Sequence, residues 1–362
     1  MSPLAIISQE EQYLSPLATT ELVGRTQEIA RVQEIILETI RGKGRSIIYI
    51  TGVGGIGKTR LLQHLLKVLP QHLPVRVAGR PVDMYHTINH TVEGLIQALQ
   101  EALAPDGAGF ERYQRERETL HRISREERAQ WQEQRNRMIQ AFLEDLNRIS
   151  QEATVVLALD TVERLFLQED PVASRLGILT ARSLVYDWLL KEFLPNVENT
   201  AVFLVGRPIP IPVEQELEKI GRFDPIDLSG LTEEETLEYF EKLVPTLQAS
   251  SSTRDQFVAD QIQQWDEEFR RCLFHALRDN GTIRPILLAL AIDYLAISGE
   301  PFGAARSLAQ AQQMSTEERG RNQRALLQGV ETLIRGSLHP LDAFIDVMSW
   351  LRKGADIDLL TM

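Results

Sequence analysis

The stretch TGVGGIGKT at residues 51–59 constrains the fold of this chain more than any other. It follows SIIYI at residues 46–50, a continuous apolar and β-branched run that suits a strand buried on both faces. It precedes TRLLQHLLKVL, where Leu61, Leu62, Leu65, Leu66 and Leu69 recur at helical spacing and Pro70 reads as a stop. The glycines therefore join a buried strand to an amphipathic helix. A strand with no polar face must be covered on both sides, which predicts an α/β architecture with a parallel sheet flanked by helices.

The spacing also carries chemistry. Gly52, Gly57, Lys58 and Thr59 satisfy GxxxxGK[ST] at every fixed position. Gly52, Gly54, Gly55 and Gly57 allow backbone conformations that aim successive N–H groups at phosphate oxygens, and the next helix adds its positive N-terminal end. Lys58 is placed to reach the β and γ phosphates of a nucleotide, and the Thr59 hydroxyl to complete the shell of a Mg²⁺ ion. Ile56 and Arg60, inside and just after the motif, are counted with the nucleotide contacts. A loop of this kind in an ATPase needs a metal-shell acid on another strand. ATVVLALD, residues 153–160, supplies a buried strand with Asp160 at its C-terminal end, where α/β sheets place their ligands. Glu163, three residues on, either orients the attacking water or is a solvated acid favoured at a helix start. TAVFLVGRP, residues 200–208, predicts a third strand that ends at Arg207, either a sensor of the γ-phosphate or a salt-bridged loop arginine.

The order of these elements resembles that of the STAND-class signal-transduction NTPases, a group of P-loop ATPases that includes the NB-ARC and NACHT proteins. The resemblance rests on LVGR at residues 22–25, GVGGIGKT, the strand ending LALDTVE, the strand ending FLVGRP, then IDLSGLTEEETLEYF and RPILLAL, and it spans about residues 22–340. It implies that Val23, Gly24 and Arg25 sit by the nucleotide base and that Pro285 closes the base pocket. It further implies ATP and ADP with Mg²⁺ as cofactors, slow hydrolysis, nucleotide-dependent homo-oligomers, and effector or sensor modules as partners. An origin-recognition-like AAA+ ATPase that meets DNA, and a nucleotide-binding scaffold without turnover, are the alternatives.

Composition narrows the partners. With 39 basic against 51 acidic residues the net charge is −12, which disfavours a broad electrostatic grip on nucleic acid. A lone cysteine, Cys272, inside a predicted helix reads as a buried thiol, and its solitude suits a reducing cytoplasm. No apolar run suggests a membrane anchor. His86 and His90 sit four apart without a third ligand nearby, so a zinc site is rejected.

The predicted domains are an N-terminal arm at residues 1–21, a nucleotide-binding domain at 22–228, an all-α lid at 229–336 and the start of a winged-helix domain at 337–362, as in a chain cut short. Within the second, residues 105–150 are dense in Arg, Glu and Gln at helical neighbour spacings, which predicts a solvated helical hairpin with weak ion pairs. A first helix over residues 26–41 carries an Ile29, Val32, Ile36, Ile40 stripe, and VRVAG at 75–79 reads as a strand. Thr232 and Glu235 form a capping box that opens the helical region, whose helices are predicted at 231–243, 253–280, 285–298 and 316–336.

Overall fold

The computed structural model describes residues 21–124, 126–166 and 181–298, with the single residues 315, 317 and 321. The chain divides into two compact units. The α/β unit comprises residues 26–52 and 58–227. The helical unit gathers residues 21–25, residues 53–57 at the crest of the glycine-rich loop, and residues 228–298.

In the α/β unit the strands are β1 (Arg45–Thr51), β2 (Val75–Val77), β3 (Val82–Asp83), β4 (Thr154–Asp160), β5 (Thr200–Val205) and β6 (Arg222–Asp227). They form a sheet in the order β2-β4-β5-β1-β6, with β3 also beside β4 and every pairing parallel. Each residue of β4 and of β5 is buried, as their unbroken apolar runs require. The helices of this unit begin with α1 (Thr26–Gly42), α2 (Lys58–His72), α3 (Val92–Leu103), α4 (Glu111–Arg122) and α5 (Arg128–Glu152). A short helix Glu163–Phe166 comes after β4. Helix Ala181–Trp188 then runs through a π-helical turn at Leu189–Phe193, and helix Ile211–Ile220 precedes β6.

Strand register decides where the loops begin. Ile50 of β1 lies opposite Val205 of β5, Val205 opposite Asp160 of β4, and Asp160 opposite Asp83 of β3. Four strands therefore end in one row, and the loops that leave them start level with one another.

The expected charged hairpin is present as α4 and α5, but it is not merely solvated. Phe110 stacks on Phe142 with ring centres 5.6 Å apart, and Tyr113 meets Phe142 edge-on at the same distance. The buried Asp145 accepts the Arg112 and Tyr113 backbone N–H groups at 3.1 and 2.9 Å, stabilising the start of α4.

The helical unit contains helices Glu233–Gln248, Thr253–Gln263, Glu267–Leu277 and Pro285–Ser298 around a core that includes Phe240, Leu243, Val258, Ile262, Leu273 and Leu288. The predicted capping box forms in full, with Glu235 N donating to Thr232 Oγ1 and Thr232 N donating to Glu235 Oε2. Inside this core Arg254 and Asp293 make a buried ion pair.

Several expected boundaries move. The helix predicted over 253–280 is two helices, because the Asp266 side chain accepts the Phe269 N–H at 2.7 Å and caps a new start. Pro70 does not stop α2, which runs on to His72, and the helix from Glu233 continues past the expected Leu243 through Pro245 to Gln248. Each proline forfeits its own N–H bond, but the helical bonding resumes beyond it, with Leu73 N donating to Leu69 O at 2.9 Å and Ala249 N to Pro245 O at 3.1 Å. The α1 stripe is turned: Val32, Ile35, Ile36 and Thr39 are buried, whereas Ile29 and Ile40 are half-buried. The expected helix at 316–336, apart from Glu317 and Arg321, and the winged-helix start at 337–362 lie outside the described residues, as does the N-terminal arm up to residue 20.

Candidate nucleotide site

β1 delivers the chain to Gly52 (φ 149°), and the loop continues through Gly55 (φ +74°) and Gly57 (φ +99°) into α2. These positive φ values are ones that glycine adopts without a Cβ penalty, and a Cβ built on Gly57 would meet nothing within 4 Å. Lys58 is the first residue of α2. Its side chain is nearly buried, and its Nζ donates to Gly52 O at 2.8 Å, so the ammonium is folded back along the loop.

Thr59 Oγ1 donates to Asp160 Oδ2 at 2.7 Å, and the other carboxylate oxygen accepts the Thr161 N–H at 2.8 Å. Burial pushes the Asp160 carboxyl above its ordinary range. The Thr59 hydrogen bond opposes that shift, and the nearby Asp83 and Glu163 charges add to it. Thr161 adopts φ +63°, uncommon for a β-branched residue, where the chain turns sharply out of β4. That turn directs Glu163 toward the end of β5. Glu163 Oε2 accepts the Arg207 N–H at 3.2 Å, and the Arg207 Nε lies 3.8 Å from Glu163 Oε1. A Cβ on Gly206 would stand 2.6 Å from Glu163 Oε2, so this approach depends on glycine at that position. Tyr49 of β1 donates its hydroxyl to Arg207 O, and burial, then the Glu163 charge, raises its pKa.

The residues at the crest of the loop have their contacts in the helical unit. Arg25 is 4% exposed and holds φ +66°; its Nη2 donates to Ile56 O at 2.9 Å and to Ser229 O at 2.7 Å. Gly24 (φ +62°) donates its N–H to Glu238 at 3.3 Å, and a Cβ there would overlap Glu235. The Val23 side chain is buried in the helical core. Ile286 N donates to Gly55 O at 3.3 Å, and a Cβ on Gly55 would come within 2.2 Å of the Ile286 side chain. Pro285 is the first residue of its helix, where its missing N–H is no loss. Arg60 is half-buried on α2, and Gly54 and Ile56 are buried.

Lys58, Thr59, Asp160, Glu163 and Arg207 are thus assembled at one row of strand ends in the α/β unit, and Val23, Gly24, Arg25, Gly54, Gly55, Ile56 and Pro285 belong to the helical unit. Four residues escaped the sequence reading. Asp83 sits on a two-residue strand too short to show a pattern. Tyr49 looks like core. Ser229 and Ile286 act through backbone atoms, which leave no trace in side-chain identity.

The arrangement fits a Mg²⁺-nucleotide. The donors at Thr59 and Asp160 are all oxygen, as Mg²⁺ requires, and the N-terminal end of α2 at Lys58 favours an anion. His90 Nε2 is hydrogen-bonded to Met84 O at 2.7 Å. Cys272 is buried in helix Glu267–Leu277, and burial raises its pKa. Among the described residues no helix is long and apolar enough to cross a membrane.

Comparison with known proteins agrees with the α/β part. The family profile described as an AAA ATPase domain matches residues 21–183. No curated protein matches the chain in sequence. Similar solved structures include Drosophila ORC bound to DNA, at 19% identity and TM-score 0.39, covering 91% of this chain and 68% of that one. The Aeropyrum pernix ORC1 protein in complex with DNA is similar at 13% identity and TM-score 0.45, with 88% and 69% covered. Cdc6p from Pyrobaculum aerophilum is similar at 14% identity and TM-score 0.38, with 96% and 90% covered. These comparisons lend no support to the expectation that nucleic acid is disfavoured.

Proposed function

We propose that the chain is a Mg²⁺-dependent ATPase that works as a slow regulatory switch of the STAND type, its nucleotide state governing domain opening and self-assembly. The observation that carries this reading is the level row of strand ends, which brings Thr59 to Asp160 at 2.7 Å and Glu163 to Arg207 in one unit. Bound Mg²⁺ would supply charge neutralisation at the phosphates. Thr59 and Asp160 would hold it, and Lys58, swung from Gly52 O, would meet the β and γ phosphates. Glu163 is fixed by the Arg207 N–H with one oxygen near the Arg207 guanidinium. An arriving γ-phosphate would compete with Glu163 for that guanidinium, which would release the carboxylate to orient water. Within the helical unit Arg25 and Ile286 bind the loop crest at Ile56 and Gly55.

The test is the identity and stoichiometry of nucleotide released on denaturing the purified chain, followed by turnover with added ATP. The switch predicts near-stoichiometric ADP and slow turnover that Glu163→Gln abolishes. Rapid exchange with fast turnover would overturn it. Salt-sensitive binding to duplex DNA at low and moderate salt would replace the switch with a DNA-associated ATPase, and nucleotide binding with no turnover would leave a scaffold.

A further inference from the structure

The α4–α5 hairpin carries arginines that the phosphate site does not use, and most of them have an acid partner. Arg112 pairs with Glu144, Arg122 with Glu118, Arg135 with Glu93, Arg137 with Glu133, and Arg148 with Glu111 and Asp145. Arg115 donates to the Glu111 backbone carbonyl outside the cleft, whereas Arg117, Arg128 and His121 have no carboxylate partner among the described residues. All three line the same cleft, a cavity of about 720 Å³ between the hairpin and the start of α3. The cleft shares no lining residue with the nucleotide site.

Its walls are aromatic. Tyr113 is buried beneath the Arg117 guanidinium, which lies 5.6 Å from the ring centre, and Trp131 is half-buried on the α5 side. The one carboxylate in the lining, Glu93, is already engaged by Arg135. In a chain of net charge −12, this cleft therefore holds an uncompensated positive charge beside two flat apolar surfaces. The volume suits a small organic molecule. Guanidinium forks match phosphate and carboxylate oxygens, and Arg117, already stacked on Tyr113, has lost part of the freedom that binding would otherwise remove.

We propose that this cleft is a second ligand site, for an aromatic ring that bears a phosphate or carboxylate. The ring lies against Trp131 and Tyr113, and the acidic group meets Arg117 and Arg128. The site is independent of the ATPase reading, because none of its residues takes part in that chemistry.

The experiment uses the full chain in ADP and Mg²⁺, titrated by calorimetry and tryptophan fluorescence with phenyl phosphate and, separately, benzoate. Saturable binding of either is expected, and which one binds identifies the acidic group. Inorganic phosphate and benzyl alcohol, each lacking half of the recognition, should bind at least about tenfold more weakly. Arg117→Gln with Arg128→Gln should weaken the aromatic anion by about tenfold or more, whereas Arg112→Gln, which removes a paired arginine of the same hairpin, should change it by less than about twofold. Lys58→Ala should leave the binding unchanged, so a failure of the nucleotide site would not be mistaken for a failure of this one. The proposal is overturned if neither probe binds saturably, if inorganic phosphate binds equally well, or if the double variant, folded by circular dichroism, retains the wild-type affinity.

Discussion

Asp160 ends β4 in the α/β unit, and Asp293 lies inside the helical unit on helix Pro285–Ser298. Burial raises both carboxyls above the ordinary aspartate range, Asp293 to about 6. They differ in what answers the burial. Asp160 is met by neutral donors, the Thr59 hydroxyl and the Thr161 N–H, with Asp83 and Glu163 adding like charge nearby. Asp293 is met by the Arg254 guanidinium, itself buried, and its Oδ2 has no hydrogen-bond partner among the described residues. Neutral donors leave a carboxylate able to neutralise a cation that arrives from outside. An internal ion pair has already used that capacity, so the second arrangement can only support structure. For Asp293, burial outweighs Arg254 in setting the direction of the shift.

The largest effect that would break this contrast concerns stability. Asp293→Ala leaves the buried Arg254 with only a longer, 3.8 Å contact to the part-exposed Asp255, and should cost on the order of 3–5 kcal/mol in urea unfolding. Replacing both together, Arg254→Met with Asp293→Leu, should recover most of that loss. If Asp293→Ala proves neutral, the pair is not structural. Asp160→Asn should behave in the opposite way. It removes a buried charge and keeps the geometry, so stability should hold or rise, while Mg²⁺-dependent turnover falls by about 100-fold or more, roughly 2.7 kcal/mol. Nucleotide binding in the presence of a chelator should be unaffected.

Acidity separates the two again, with a smaller effect. The native carboxyl of Asp293 holds its proton to about pH 6, and the unfolded one releases it near the ordinary value of 3.8. The unfolded state therefore ionises first, and stability falls as pH rises from about 4 to about 6, then levels, by roughly 3 kcal/mol in order of magnitude. Asp293→Asn, which keeps the shape and cannot ionise, should flatten that part of the curve of unfolding free energy against pH. An unchanged slope would remove Asp293 as its source.

The same physics of burial decides which elements are legible in the sequence. β1, β4 and β5 show because strands buried on both faces need unbroken apolar runs, and their ends locate Lys58, Asp160 and Arg207. β6 does not show, since RFDPID carries Pro225 and the two acids Asp224 and Asp227, and β3 has two residues. The break before Glu267 hides within a helical pattern, because one capping side chain, Asp266, decides it. What no local pattern contains is long-range backbone bonding. Arg25 grips Ile56 O and also Ser229 O, 204 residues away in sequence.

That last contact separates two roles for Arg25. The resemblance to STAND proteins places Arg25 beside the base, yet its guanidinium binds two carbonyls, one on the loop crest and one just before the helical unit's first helix. If Arg25 reads the base, Arg25→Lys should change the preference for ATP over GTP, because a base is told from another by where donors point. If it holds the loop, the lysine keeps the charge but cannot reach both carbonyls in one planar fork. Affinity for both nucleotides should then fall together by about tenfold, close to 1.4 kcal/mol, with their ratio unchanged. Buried carbonyls left without a donor account for that loss, and it should appear with ADP as with ATP, since neither Ile56 O nor Ser229 O depends on the γ-phosphate. A change in the ratio would return Arg25 to the base pocket and leave Ile286 as the helical unit's direct hold on the loop crest.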